Sequence, residues 1–167
     1  IVNEPSVWAQ AFGNYTTMSD TDDAAGFDAT TVGFALGADT RISDEITLGA
    51  GYALNITSVD TDAGDTDITG HTVFAYGKYQ PSQWFARGVI SYGFANYDVD
   101  SGLRDASYDV SNIGISAFGG YDFDANWTAQ GGLRFAHISQ SDYTDSLNQH
   151  VSTDDADILT LVAGGSY

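Results

Sequence analysis

The chain has 167 residues, which suits a single domain spanning 1–167, and its 23 acidic residues outnumber its 5 basic ones to give a formal net charge of −18. Such a negative balance excludes nucleic-acid binding, because contacts to phosphates need a basic face. There is no cysteine and no apolar run of about 18 residues, which excludes disulfides, thiolate metal sites and a transmembrane helix.

In chain order, the sequence predicts eight β-strands whose connections alternate between short and long. The predicted strands are Val7–Tyr15, Thr31–Arg41, Ile46–Thr57, Ile68–Tyr79, Trp84–Tyr97, Tyr108–Phe123, Trp127–Ile138 and Asp157–Tyr167. Tight connections are predicted at Ile42–Glu45, Gln80–Gln83 and Asp124–Asn126, and long, Asp-rich ones at Thr16–Gly26, Ser58–Asp67, Asp98–Ser107 and Ser139–Ala156. A transmembrane β-barrel has this alternation, because its periplasmic turns are short and its external loops are long.

Alternation within the strands separates a large apolar face from a small, more polar one. In the second strand Val32 and Leu36 share one face, while Ala35 and Gly37 share the other. A soluble ligand-binding barrel would place Lys and Glu outside, and neither face offers them. The predicted fold class is therefore all-β, an antiparallel transmembrane β-barrel with its apolar face toward lipid. Arginine at Leu36 should block insertion, whereas serine at Gly37 should be far milder.

Aromatic residues at the predicted strand ends favour two belts at the membrane interfaces. One level is predicted to hold the aromatics near the tight turns and near the start of the chain, namely Trp8, Tyr79, Trp84, Tyr121 and Trp127. Tyr97 and Tyr108 border a long loop and are assigned to the other level.

Five stretches of the chain resemble the β-domain of bacterial autotransporters, the translocator of type V secretion. They are VWAQAFGNY at Val7–Tyr15, TTVGFALGADTRISDEITLGAGYALN at Thr30–Asn55, FAYGKYQ at Phe74–Gln80, WFARGVISYG at Trp84–Gly93 and GGLRFAHISQSDYTDS at Gly131–Ser146. The resemblance runs over essentially the whole chain and includes no catalytic motif.

The resemblance implies a bacterial outer-membrane barrel that anchors a passenger segment and takes part in its passage to the cell surface. It also implies insertion by the barrel assembly machinery and a barrel of twelve strands, of which this chain supplies about eight. We therefore expect that the first and last strands do not pair with each other. The alternative is a small, self-contained eight-stranded barrel with a structural or adhesive role.

The acidic stretch around Gly64 offers clustered carboxylates but lacks the twelfth-position Glu of an EF-hand loop. Its residues Asp60, Asp62, Asp65 and Asp67 are weak candidates for a metal, and weak divalent binding that bridges to anionic lipopolysaccharide is the expectation. Neither a zinc motif nor a nucleophile elbow occurs, so no cofactor and no catalytic residue is predicted.

Four charged residues fall on the small face of their strands, namely Asp39, Arg41, Arg87 and Arg134. A charge in a narrow lumen must be paired, so an internal network of ion pairs and hydrogen bonds is predicted there. The competing interpretation is that Arg41 and Arg87 simply lie at the periplasmic rim.

Overall fold

The computed structural model describes residues 5–19, 26–62, 64–100, 105–123 and 127–166, and the strands account for most of them. The strands are β1 (Ser6–Met18), β2 (Phe27–Arg41), β3 (Ile46–Thr61), β4 (Gly64–Tyr79), β5 (Trp84–Asp100), β6 (Asp105–Asp122), β7 (Thr128–Gln140), β8 (Tyr143–Thr144), β9 (His150–Val151) and β10 (Ala156–Ser166). Within these ranges, no helix has the length and apolar character needed to cross a membrane.

Eight strands form one antiparallel sheet in the order β1-β2-β3-β4-β5-β6-β7-β10, so each main strand pairs with its neighbour in the chain. The sheet curls into a half-barrel, which confirms the predicted fold class. No ladder joins the described residues of β1 and β10, and this confirms that the first and last strands do not pair. The self-contained eight-stranded barrel requires that ladder and is therefore not formed.

The connections are short at one end of the sheet, called the turn end below, as the sequence predicts. Residues 42–45 and 80–83 form the first two tight turns, and the third prediction, Asp124–Asn126, lies outside the described residues. Adjacent turns are bonded to each other, because the Gln80 N–H donates to the Glu45 carbonyl at 2.8 Å.

At the opposite end, called the loop end, two long-loop predictions are wrong in extent. β3 and β4 continue through most of Ser58–Asp67, pairing as far as Thr61 with Gly64, and β5 and β6 pair as far as Asp100 with Asp105. Asp alternates with Thr and Val here, so the period of two persists and neighbouring backbones satisfy each other's hydrogen bonds.

The two faces of the sheet carry the predicted residue types. Ala35 is paired with Ala53 and Gly37 with Gly51, whereas Leu36 is paired with Tyr52 on the other face. The small-residue face is the concave one, because side chains three strands apart meet across it, as described below. The apolar side chains of the convex face stay exposed, and within the described ranges Phe85 is the one large apolar residue that is buried.

Candidate functional site

A hydrogen-bonded network crosses the concave face near the turn end. Trp8 Nε1 donates to the Tyr76 hydroxyl at 2.7 Å, although β1 and β4 are three strands apart. The Tyr76 hydroxyl in turn donates to Asp39 Oδ2 at 2.8 Å, and Ser6 Oγ donates to Asp39 Oδ1 at 2.5 Å. Three strands thus converge on one carboxylate, which fixes the curvature of the sheet in this region.

Glycines on the intervening strands make room for the aromatic rings of this network. Gly49 lies under the Tyr76 ring, and Gly51 lies under the Phe74 ring. A Cβ added at Gly37 would lie 2.5 Å from Trp8 Cζ2 and 2.7 Å from the Ala50 carbonyl oxygen. Large rings from neighbouring strands therefore cover these small residues of the concave face.

Trp8 belongs to this network, which corrects its assignment to a membrane-interface belt. Its partner in the register is Gly37, so its ring lies on the concave face and stacks on Phe74 at a centroid distance of 6.1 Å. The sequence carried a signal for this, since Trp8 alternates with the apolar residues Val7 and Ala9.

The four charged residues predicted to form a lumen network do share the concave face, but they do not form the predicted ion pairs. Asp39 is held by the two hydroxyl groups of Ser6 and Tyr76. The Arg87 guanidinium lies 4.4 Å above the Phe85 ring. In the part of the chain that the structure describes, Arg41, Arg87 and Arg134 have no carboxylate within ion-pair distance.

A basic residue that the sequence analysis did not single out completes this set. Lys78 on β4 is the direct cross-strand partner of Arg87 on β5, and through Thr47 it is in line with Arg41 on β2. Arg134 lies on the same face of β7, opposite Ser116. The parity of Lys78 with Tyr76 could have placed it on this face from sequence alone.

Tyr97 and Tyr108 also face the concave side, so their assignment to an outer belt is wrong. They are direct partners across β5 and β6, with ring centroids 5.0 Å apart and planes 12° apart. Tyr143 stacks on Tyr108 from the loop between β7 and β10, at 4.9 Å. Counting by twos from the convex residue Trp84 places Tyr97 on the opposite face, a signal that the sequence analysis missed.

The segment between β7 and β10 carries Tyr143 over the concave face as a folded hairpin. The Ser146 N–H donates to the Asp105 carbonyl at 2.9 Å, and the Ser141 N–H donates to the Asp109 carbonyl at 2.9 Å. Asp145 Oδ1 accepts the N–H groups of Leu147 and Gln149, which closes the turn between β8 and β9. This predicted long connection is thus an ordered element attached to β6.

The remaining belt aromatics lie at the turn end. Tyr79 and Trp84 contact each other edge to face at 5.2 Å on the convex face. Tyr121 is the cross-strand partner of Trp84, and Trp127 is exposed directly before β7. A membrane-interface belt formed by these residues stays a prediction.

A second aromatic group on the convex face was not anticipated. The Tyr52 hydroxyl is hydrogen-bonded to His71 Nδ1 at 2.6 Å, and the His71 ring stacks on Phe94 at 4.9 Å. The three residues come from β3, β4 and β5 and share the face of Trp84. Only the register between strands brings them together, because 42 residues separate Tyr52 from Phe94 in the sequence.

The candidate metal residues form a row of opposed carboxylates on the convex face at the loop end. Asp60 is directly opposite both Asp28 and Asp65, and Asp67 is opposite Asp98. Asp62 lies in the turn beyond this ladder. Across the described ranges, no group of three or more acidic or histidine side chains is arranged to hold a metal ion.

The concave face thus carries aromatic and hydroxyl groups together with four basic side chains. A comparison with known families matches the autotransporter beta-domain over residues 7–166. The chain belongs to the autotransporter beta-domain family. This family forms transport barrels of the outer membrane and is not a catalytic family.

Among curated proteins, the chain is similar to Outer membrane protein B of Rickettsia prowazekii and of Rickettsia rickettsii. Each is 26% identical over 184 residues, which cover 95% of this chain. The chain spans 11% of the length of each of these relatives.

Two solved structures show the same fold. The translocator domain of the autotransporter NalP from Neisseria meningitidis superposes with a TM-score of 0.75 at 16% identity, covering 95% of this chain and 58% of that chain. The beta domain of the Bordetella autotransporter BrkA gives a TM-score of 0.70 at 20% identity, covering 96% of this chain and 68% of that one. The eight-stranded sheet therefore corresponds to part of a twelve-stranded autotransporter barrel.

Proposed function

We propose that this beta-domain anchors a passenger segment in the outer membrane and translocates it to the cell surface through a lumen lined by the concave face. The observation that carries the proposal is the division of the sheet into an exposed apolar convex face and a polar, cationic concave face. Lipid accepts the first, and a hydrated polypeptide accepts the second. Membership of the autotransporter family supports the passenger.

The proposal sets the orientation of the sheet in the membrane. The turn end faces the periplasm and the acidic loop end faces the outside, where its carboxylates lie in the lipopolysaccharide layer. The barrel assembly machinery inserts the domain, because strands with exposed edges cannot remain in lipid unpaired.

Cysteine labelling tests this orientation, and the chain is suited to it because it has no native cysteine. Asp62→Cys at the loop end and Ser82→Cys at the turn end are produced separately in intact Gram-negative cells. A membrane-impermeant maleimide should label Asp62→Cys and leave Ser82→Cys unlabelled until the cells are lysed. Labelling of Ser82→Cys alone would invert the topology and overturn the proposal.

Passenger translocation is tested separately with an epitope tag placed ahead of Ile1. Antibody should reach the tag on intact cells if the domain carries the segment to the surface. The lysed-cell signal serves as the control for expression. If the tag stays inaccessible while Asp62→Cys is labelled, the domain is inserted in the membrane but does not translocate the segment, and that part of the proposal is wrong.

A further inference from the structure

The basic residues of this acidic chain are concentrated on one face. Four of its five Lys and Arg residues, Arg41, Lys78, Arg87 and Arg134, lie on the concave face by register, and the fifth, Arg104, lies outside the described residues. These four are called the cation row below. The chain as a whole has a net charge of −18, and its opposed carboxylates lie on the convex face at the loop end. Basic and acidic residues therefore occupy different faces of the sheet.

The cation row contains a pair of like charges, and among the described residues no carboxylate forms an ion pair with either of them. Lys78 and Arg87 are direct cross-strand partners, and like charges in that position destabilise a sheet. The strands place two carboxylates on this face, Asp39 and Asp122. Asp39 accepts hydrogen bonds from Ser6 and Tyr76, and Asp122 accepts them from Gln80 and Thr128, so neutral donors satisfy both.

One arginine of the row, Arg87, is held in place by an aromatic ring. Arg87 rests on the Phe85 ring, which is 2% exposed, while its own guanidinium remains exposed. A planar guanidinium supported in this way presents its N–H fork to an incoming carboxylate. The Trp8, Phe74 and Tyr76 rings beside the row offer apolar surface to the same occupant.

We propose that the cation row binds an acidic polypeptide segment that passes along the concave face at the turn end. This inference rests on the proposed function and adds the chemistry of the segment: Glu or Asp side chains spaced to meet Arg41, Lys78 and Arg87. These three residues extend from β2 to β5, about 14 Å at the usual strand spacing, which a peptide spans and a single small anion does not. Anionic lipid is disfavoured as the occupant because the concave face is turned away from the apolar convex surface.

A peptide-binding experiment on the full chain in a neutral detergent tests the proposal. The probe is a fluorescently labelled acidic peptide of alternating Glu and Ala, and its matched control carries Gln in place of every Glu. Anisotropy should show that the acidic peptide binds and that the Gln peptide binds about tenfold more weakly or worse. Affinity for the acidic peptide should fall as salt is added.

Two charge-matched variants locate the site. Arg87→Gln should weaken binding of the acidic peptide by about tenfold, whereas Arg104→Gln, which removes the same charge outside the cation row, should change it less than twofold. Retention of β-sheet circular dichroism shows that each variant is folded. The proposal is overturned by equal binding of the two peptides, by equal losses in the row and Arg104 variants, or by phosphatidylglycerol vesicles displacing the peptide stoichiometrically.

The peptide-binding result can be distinguished from the results of the labelling and epitope experiments. If Asp62→Cys labels and the epitope reaches the surface while the acidic peptide does not bind, the translocator role stands and the acidic specificity is wrong. If the epitope never reaches the surface while the peptide binds through Arg87, the specificity stands and the translocator role fails.

Discussion

At the scale of single residues, Gly37 shows that the atoms around a position determine how much a substitution there costs. The sequence predicts that serine there is milder than arginine at Leu36, and the Trp8 ring and the Ala50 carbonyl fill the space that an added Cβ would need. We expect Gly37→Ala to lower the free energy of unfolding by about 1–3 kcal/mol, the usual cost of overpacking. Denaturant titration in micelles measures this.

Gly88→Ala is the matched control, because a Cβ at Gly88 would have the Ser116 carbonyl oxygen at 3.8 Å, an ordinary contact. Its stability should equal that of the parent or slightly exceed it, since alanine restricts the unfolded chain. Equal losses for the two variants would show that glycine is needed for backbone freedom and not for the Trp8 contact.

Leu36 belongs to the convex face, where its side chain is 47% exposed. Leu36→Arg should cost about 2–4 kcal/mol in a refolding titration into bilayers, because a charge near the midplane loses its hydration. Thr30→Arg lies on the same face of the same strand but nearer the loop end, and it should cost about 0–1 kcal/mol. Similar costs at the two depths would contradict a lipid-facing convex surface.

At the scale of elements, carboxylates of paired strands lie opposite each other at the loop end of the sheet and repel each other. Asp60 on β3 is opposed by Asp28 on one side and Asp65 on the other. Asp60→Asn should therefore raise the free energy of unfolding by about 0.2–1 kcal/mol, the range for cross-strand pairs. The gain should shrink in high salt, because these carboxylates are exposed and their repulsion is screened.

Asp62→Asn removes the same charge from the turn beyond the ladder and should have a smaller effect. Thermal or denaturant unfolding at two ionic strengths compares the variants. A loss of stability on Asp60→Asn would mean that the carboxylate makes a favourable contact that outweighs the repulsion.

The hairpin formed by β8 and β9 is a second element whose position depends on few contacts. Tyr143 stacks on Tyr108, and an aromatic pair contributes about 0.5–1.5 kcal/mol beyond its buried area. Tyr143→Ala should thus raise the rate of proteolysis within 141–155 by roughly two- to tenfold. Leu147→Ala, at an exposed turn position, should leave the rate unchanged. Faster proteolysis in both variants would show that contacts other than the Tyr143–Tyr108 stack hold the hairpin in place.

At the scale of the whole molecule, the two outer strands of the sheet keep open edges. Val7 on β1 is 82% exposed and Leu161 on β10 is 78% exposed, as expected where no further strand packs. An exposed edge is a template for pairing with another strand. The twelve-stranded barrels of the family have such further strands. The closed lumen that the proposed function needs would form when those strands pair with the two open edges.

Paired cysteines test the open arrangement in the isolated chain. Gln10→Cys with Ala35→Cys joins direct partners on β1 and β2 and should oxidise to an intramolecular disulfide, since strand partners lie within the Cα separation of a disulfide. Gln10→Cys with Thr160→Cys, on β1 and β10, should remain reduced at low protein concentration. Efficient crosslinking of the second pair would show that eight strands close on themselves.

The sequence by itself determined the strands, the short turns and the two faces of the sheet, because each follows from a local period of two. Leu36 and Gly37 were assigned to opposite faces, and the structure agrees. The turns at 42–45 and 80–83 were found at their observed positions, because polar residues interrupt two alternating runs there. The resemblance of five stretches to autotransporter β-domains located the family.

Only the tertiary structure decided what the side chains of each face contact, because those partners are set by register across several strands. Trp8 meets Tyr76 across 68 residues, and Tyr143 reaches Tyr108 through the fold of a hairpin that the sequence presented as a loop. Asp39 was predicted to join arginines in a network of ion pairs and hydrogen bonds, and the structure shows it accepting hydrogen bonds from hydroxyl groups of β1 and β4. Local alternation determines which face a residue occupies, and only the curvature of the sheet determines which distant residues meet on that face.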